Sequence, residues 1–110
     1  MLSRENAVID WGRTARELAA FIRGNNPWPV AVTTLEGSPL KIYSGTAEEK
    51  NPGRTPGEIL SADREGIRVA CGEGVLCIRE LQAQGKKRMD AGVYVNGHHL
   101  APGTRMGEEL

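Results

Sequence analysis

The stretch 9–31 constrains this chain most, because it sets one helix and both of its ends. Thr14 with Glu17 three residues on has the capping-box pattern, in which each side chain satisfies a backbone N–H at a helix start. Ala15, Leu18, Ala19 and Ile22 then recur at i, i+3, i+4 and i+7, which places them on one face. Arg13, Arg16 and Arg23 lie off that stripe. Gly24 is a stop signal, and Asn25-Asn26-Pro27 forbids continuation. After Pro29 the pattern changes to period two for almost all that remains. One amphipathic helix must therefore pack against a sheet.

The 110 residues make one domain, able to bury about two-thirds of its unfolded surface in a single core. Fourteen Gly and six Pro, spread along the chain, predict many turns between short strands. Residues 1–8 read as a ragged lead-in or linker remnant. Residues 30–36 form a β-branched strand, Gly37-Ser38-Pro39 turns, and residues 40–46 pair back on it. A polar, mobile loop covers 48–56, a short strand 58–62, a turn 63–66 and a hairpin 67–79. The run 81–89 leaves the sheet, Val93-Tyr94-Val95 is a last short strand, and 101–110 is a frayed tail. The fold class expected is mainly β: a small OB-like antiparallel barrel over residues 9–100 with one N-terminal amphipathic helix. Closure is the economical way to remove exposed strand edges in so small a domain.

The hairpin register follows from reading Glu73-Gly74 as its two-residue turn. Ile67, Val69, Cys71, Leu76 and Ile78 then share the apolar face, and Cys77 falls on the other with Arg68 and Ala70. The two cysteines on opposite faces predict free thiols in a reducing compartment. The same register sets Arg68 directly opposite Arg79 on the outer face.

Fourteen basic and fourteen acidic residues cancel, so any binding to a polyanion must come from local placement. No apolar run approaches ~20 residues, so no membrane-spanning helix is expected. No signal-peptide apolar region follows Met1. No phosphate-binding glycine motif and no metal-ligand spacing is present. The two histidines, His98 and His99, are adjacent and read as solvated.

These residues resemble the C-terminal domain of methionyl-tRNA formyltransferase. The likeness runs in order from about Ile9 to Met89. It includes Ile9-Asp10-Trp11, Arg23 with Asn26-Pro27-Trp28-Pro29, Leu40-Lys41-Ile42 and Pro56-Gly57-Glu58-Ile59. It continues through Gly66-Ile67-Arg68-Val69-Ala70-Cys71-Gly72, Gly74-Val75-Leu76-Cys77-Ile78, Leu81-Gln82 and Gly85-Lys86-Lys87-Arg88-Met89. Val30 departs from it, since the family usually has Gly after the second Pro, and beyond Met89 nothing is carried over. The resemblance implies an OB-like, cytoplasmic, monomeric domain that follows an N-terminal formyltransferase catalytic domain and holds initiator methionyl-tRNA. It implies no catalytic residue and no cofactor in this chain, 10-formyltetrahydrofolate being the donor for the whole enzyme.

The candidate nucleic-acid contacts are Arg68, Arg79, Lys86, Lys87, Arg88 and Lys41, with Arg13, Arg16 and Arg23 weaker. Their ammonium and guanidinium groups suit phosphate, where they displace counterions. Bland readings stand beside these. Lys86, Lys87 and Arg88 make a solvated surface run, and Glu58, Glu65 or Glu80 neutralises the Arg68–Arg79 pair. Trp28 and Trp11 plug the space around the helix; Trp28 could otherwise stack on a base. Two other functions remain open: the structural domain of a sugar-nucleotide formyltransferase, and a small protein-binding barrel.

Overall fold

In a computed structural model of the chain, which describes residues 7–25 and 30–107, the helix forms where the capping pattern sets it. α1 (Ala15–Gly24) is capped by Thr14, whose hydroxyl accepts from the Glu17 amide at 3.0 Å. The Glu17 carboxylate accepts from the Thr14 amide at 3.1 Å. The pair satisfies two donors that a helix start leaves open. Ala15, Leu18, Ala19 and Ile22 are the buried residues of the helix. Burial of Leu18 and Ile22, each 1% exposed, contributes about 1.5–3 kcal/mol apiece. Gly24 is the last helical residue, but Asn25 makes the cap, its side-chain amide donating to the Phe21 carbonyl at 2.8 Å. Pro27, Trp28 and Pro29 lie outside the described residues, and so does the expected role of Trp28.

Among the described residues seven strands form one sheet: β1 (Ala7–Val8), β2 (Ala31–Leu35), β3 (Ser38–Glu48), β4 (Ile59–Asp63), β5 (Gly66–Ala70), β6 (Val75–Ala83) and β7 (Met89–Asp90). A short helix, α2 (Ala91–Gly97), follows. The sheet runs β1-β2-β3-β6-β5-β4, with β7 paired to β6. Neighbours are antiparallel except β1 and β2, which run parallel and are joined through α1. α1 packs across β3 and β6. Ile42, Ile67, Val69, Leu76, Ile78 and Leu81 have no exposed surface and form the centre of the core.

The protein is mainly β, as expected, but its sheet does not close by strand-on-strand pairing. Among the described residues β1 and β4, at the two ends of the path, do not pair. The gap is spanned by residues 103–107, where a frayed tail was expected. Met106 bridges to Leu35 and Arg105 to Glu58. The Gly107 amide donates to Thr34 at 2.9 Å, the Met106 amide to Gly57 at 2.7 Å, and the Ile59 amide to Thr104 at 2.7 Å. Met106 is 2% exposed. A chain end so hydrogen-bonded, with a buried side chain, is part of the core rather than a loose tail. At the other end Ala7 and Val8 pair with Ala31 and Val32, so these two residues of the expected lead-in belong to the sheet.

Three further expectations give way to tertiary packing. The hairpin turn centres on Gly72-Glu73, not on Glu73-Gly74: the Cys71 amide donates to the Gly74 carbonyl at 3.1 Å. The cause is docking of the turn on the approach to α1. The Gly72 amide lies 2.9 Å from both the Trp11 and the Arg13 carbonyls, and the Ala15 amide donates to Glu73 at 2.8 Å. A Cβ on Gly72 would lie 1.9 Å from the Gly12 carbonyl oxygen, so only glycine fits. The register moves by two residues, which keeps every residue on its expected face. Ile67, Val69, Cys71, Leu76 and Ile78 are all buried, and both cysteines are free.

The second change is in β6, which continues to Ala83 where the chain was expected to leave the sheet. Irregularities at Tyr43 on β3 and Arg79 on β6 add one residue to each strand. They return Leu81 to the inner face opposite Ile42, which a strict alternation from Ile78 would not do. The third is α2, where Val93-Tyr94-Val95 read as a strand. Ala91 and Tyr94, three apart, go into the core, while Val93 is 60% exposed. The helical period therefore buries the larger apolar body, and β-propensity yields to it.

Candidate nucleic-acid interface

The outer face of the sheet is built by β3, β6 and β5. Lys41 on β3 stands opposite Gln82 on β6, Thr46 opposite Cys77, and Cys77 opposite Arg68 on β5. The expected Arg68–Arg79 pair does not form, because the turn shift moves Cys77 into the place assigned to Arg79. Arg68 is instead engaged by acids. It donates to Glu48 at 3.0 Å and to Glu65 at 3.0 Å, with Asp63 at 4.0 Å. Glu48, expected at the start of the polar loop 48–56, is instead the last residue of β3 and sits on this face. The Arg68 hydrogen bond holds the Glu48 carboxyl below the usual carboxylate range, and Glu48 in turn raises the Arg68 guanidinium above its ordinary value. Arg68 thus serves the fold, by the neutralised reading, with Glu65 among the acids foreseen.

Arg79 is exposed and donates to the Glu65 carbonyl at 3.0 Å and to the Thr46 hydroxyl at 3.4 Å. Lys86 and Lys87 lie exposed in the turn between β6 and β7, and Lys41 is exposed on β3. Lys41, Arg79, Lys86 and Lys87 form no ion pair among the described residues. Arg88 differs from the lysines beside it. Its guanidinium makes two hydrogen bonds to Glu80, at 2.9 and 3.0 Å, and lies 4.2 Å from the centre of the Tyr43 ring. That bond holds the Glu80 carboxyl below its ordinary value. The basic run is thereby divided into two unengaged lysines and one committed arginine.

Tyr43 on this face was not singled out in the sequence, Glu80 was read only as a partner for the Arg68–Arg79 pair, and Gln82 stood only within the family-like run. Tyr43 donates its hydroxyl to Gln82 Oε1 at 2.9 Å, and Gln82 Nε2 donates to the Lys86 carbonyl at 2.9 Å. Tyr43 was findable, since it follows Lys41 at period two and so points outward.

The weaker candidates are spread elsewhere. Arg16 pairs with Glu49 at the start of α1. There a cleft of about 1120 Å³ is lined by Thr14, Arg16, Glu48, Lys50, Arg54 and Glu73 among others. Its mixed charges select neither sign of ligand. Trp11 donates its indole N–H to the buried Thr33 hydroxyl at 3.0 Å and lies beneath Gly107, so it plugs the core under the chain end. His98 stacks on Tyr94 with ring centres 4.2 Å apart. Among the described residues no cluster of His, Cys, Asp and Glu could hold a metal ion, and no helix is long and apolar enough to cross a membrane.

Residues 1–99 match the family model described as formyl transferase, C-terminal domain. The chain belongs to that family. A methionyl-tRNA formyltransferase from Geotalea uraniireducens is 43% identical over 110 residues, covering 99% of this chain and 34% of the relative. One from Trichlorobacter lovleyi is 46% identical over 104 residues, covering 94% of this chain and 32% of the relative. One from Pseudoalteromonas translucida is 42% identical over 111 residues, with 97% and 35% covered. This formyl transferase C-terminal domain therefore spans about a third of the length of the relatives it matches. The family expected from the ordered run between Ile9 and Met89 is the family found.

Proposed function

We propose that this domain holds initiator methionyl-tRNA for a methionyl-tRNA formyltransferase, through the phosphate backbone and the outer face of its sheet. One observation carries the reading: in a chain of zero net charge, Lys41, Arg79, Lys86 and Lys87 collect around β3, β6 and the turn after β6 without a carboxylate partner among the described residues. Arg88 and Arg68 support the surface instead, as their acids are already in place. In this reading the sheet with its 103–107 clasp is an OB-like barrel. Recognition is by shape and backbone rather than by base edges, as suits folded RNA.

The formyl group of 10-formyltetrahydrofolate would be transferred in an N-terminal catalytic domain, in the cytoplasm, and this domain supplies neither the cofactor site nor the acid–base groups. The experiment is a fluorescence-anisotropy titration of the chain with initiator tRNA at several salt concentrations. Affinity should fall steeply as salt rises, since each phosphate contact releases counterions. Salt-independent binding, or none, would reject the reading in favour of the structural domain of a sugar-nucleotide formyltransferase or a protein-binding barrel.

A further inference from the structure

We propose that Gln82 is a positioning residue for this RNA-binding face: its side-chain amide, held by Tyr43, fixes the turn after β6 so that Lys86 and Lys87 are presented beside Lys41 before any ligand arrives. The inference rests on the reading above and goes beyond it, by naming the device that orders the contact surface.

Gln82 lies opposite Lys41 in the sheet, and its amide group reaches both ways. Its oxygen accepts from the Tyr43 hydroxyl at 2.9 Å, and its nitrogen donates to the Lys86 carbonyl at 2.9 Å. The turn's own backbone supplies a second tie, the Lys86 amide donating to the Ala83 carbonyl at 3.0 Å. Tyr43 is fixed in its turn, with the Arg88 guanidinium over its ring and Arg88 locked by Glu80. Tyr43, Glu80, Gln82 and Arg88 therefore make a frame around the turn. Within the turn only Lys86 and Lys87 carry a charge that no ion pair among the described residues uses.

The chemistry of the amide suits this place. A glutamine offers an acceptor and a donor on one planar group, which matches a hydroxyl on one side and a carbonyl on the other. A glutamate would lose the donor, and a leucine of similar size would lose both. Gly85, at φ +77, gives the turn a residue with wide backbone freedom, which the frame restrains. Ordering one such residue at the moment of binding weakens affinity roughly tenfold. A turn ordered during folding avoids that loss.

The test is a thermodynamic cycle read by tRNA anisotropy across a salt series. Gln82→Leu should weaken tRNA binding three- to tenfold at every salt concentration, with the slope of log K against log salt unchanged, because the same phosphates are still met. Lys86→Ala with Lys87→Ala should instead flatten the slope. In that lysine-free background Gln82→Leu should have no further effect. Tyr43→Phe, which removes one hydroxyl, should give a smaller loss in the same direction and stands in if Gln82→Leu does not fold. Unchanged affinity in Gln82→Leu, or an equal loss with and without the lysines, would overturn the positioning role. If the unaltered chain shows no salt-dependent binding to tRNA, the RNA reading fails first and this inference with it.

Discussion

The Arg68 Nε–H donates to the Glu48 carboxylate, 3.0 Å from Oε1 and 3.2 Å from Oε2, so that the pair arches from β5 to β3 over the strand between them. Beneath it lie Val75 and Cys77, outer-face residues of β6 with no exposed surface. An ion pair half out of water thus roofs a second, small apolar patch. Truncating Arg68 leaves Glu48 half-buried without its main partner, and groups so stranded cost more than surface pairs. Arg68→Ala should lower stability by about 1–3 kcal/mol. It should also speed alkylation of Cys77 in the native protein, while the salt slope of tRNA binding stays as it was. Thermal melts and thiol-labelling rates measure the first two, and an unchanged melt would contradict the roof.

Stability should fall on both sides of neutral pH. Arg68 lowers the folded value of Glu48, and Arg88 that of Glu80, below the ordinary 4.5. A lowered value contributes stability that is present above the ordinary value and lost as pH falls through the folded one. On the alkaline side burial pushes the Cys71 thiol from 9.0 up to about 11, and burial raises Cys77 too. A raised value contributes stability present below pH 9 and lost as the pH climbs toward 11. A melting temperature that rises as the pH drops below 4.5 would contradict the acid limb, which Glu48→Gln should shrink.

Val30 is strained. Its φ of +71° puts a β-branched residue in the left-handed region, while the residue is only 7% exposed. Elsewhere Ala is the better replacement for a buried Val, because Gly adds chain freedom to the unfolded state. Here the order should reverse, with Val30→Gly more stable than Val30→Ala by about 1 kcal/mol. Denaturant midpoints of the two variants decide it, and the usual order would show that the backbone at Val30 relaxes.

The chain end should matter as much as the helix. Met106 is buried between β2 and the start of β4, in the segment that spans the open side of the sheet. Met106→Ala should cost about 2–5 kcal/mol. A loss below 0.5 kcal/mol, typical of surface sites, would mean that the segment is not part of the folded core.

How much of this was legible in the sequence follows the range of the forces involved. The capping box at Thr14 and Glu17, the stripe of α1 and the inner face of the hairpin are set by neighbours a few residues apart, and all are read directly. The turn position was not, because Gly72 is chosen by the carbonyls of Trp11 and Arg13, which lie 59 or more residues earlier. That miss carried over to the site, where it placed Arg68 against Arg79 and hid the Arg68–Glu48 pair. Leu81 and Met106 were missed for a similar reason: bulges at Tyr43 and Arg79 and a returning chain end are consequences of packing, not of local pattern. Val30 was visible as a departure from the family's glycine, though only the backbone angle gives that departure a physical cost.

Under the proposed function, four cations outside the ion-pair network meet the tRNA backbone. The most direct measurement is the salt dependence of tRNA binding for a variant carrying Lys41→Gln, Arg79→Gln, Lys86→Gln and Lys87→Gln, beside Arg68→Ala and the unaltered chain. If each cation meets one phosphate, the slope of log K against log salt should flatten by about three and a half units in the fourfold variant, at a little under one unit per contact. It should be unchanged in Arg68→Ala. A fourfold variant that keeps the full slope, with its melt intact, would contradict this assignment of the RNA-binding face.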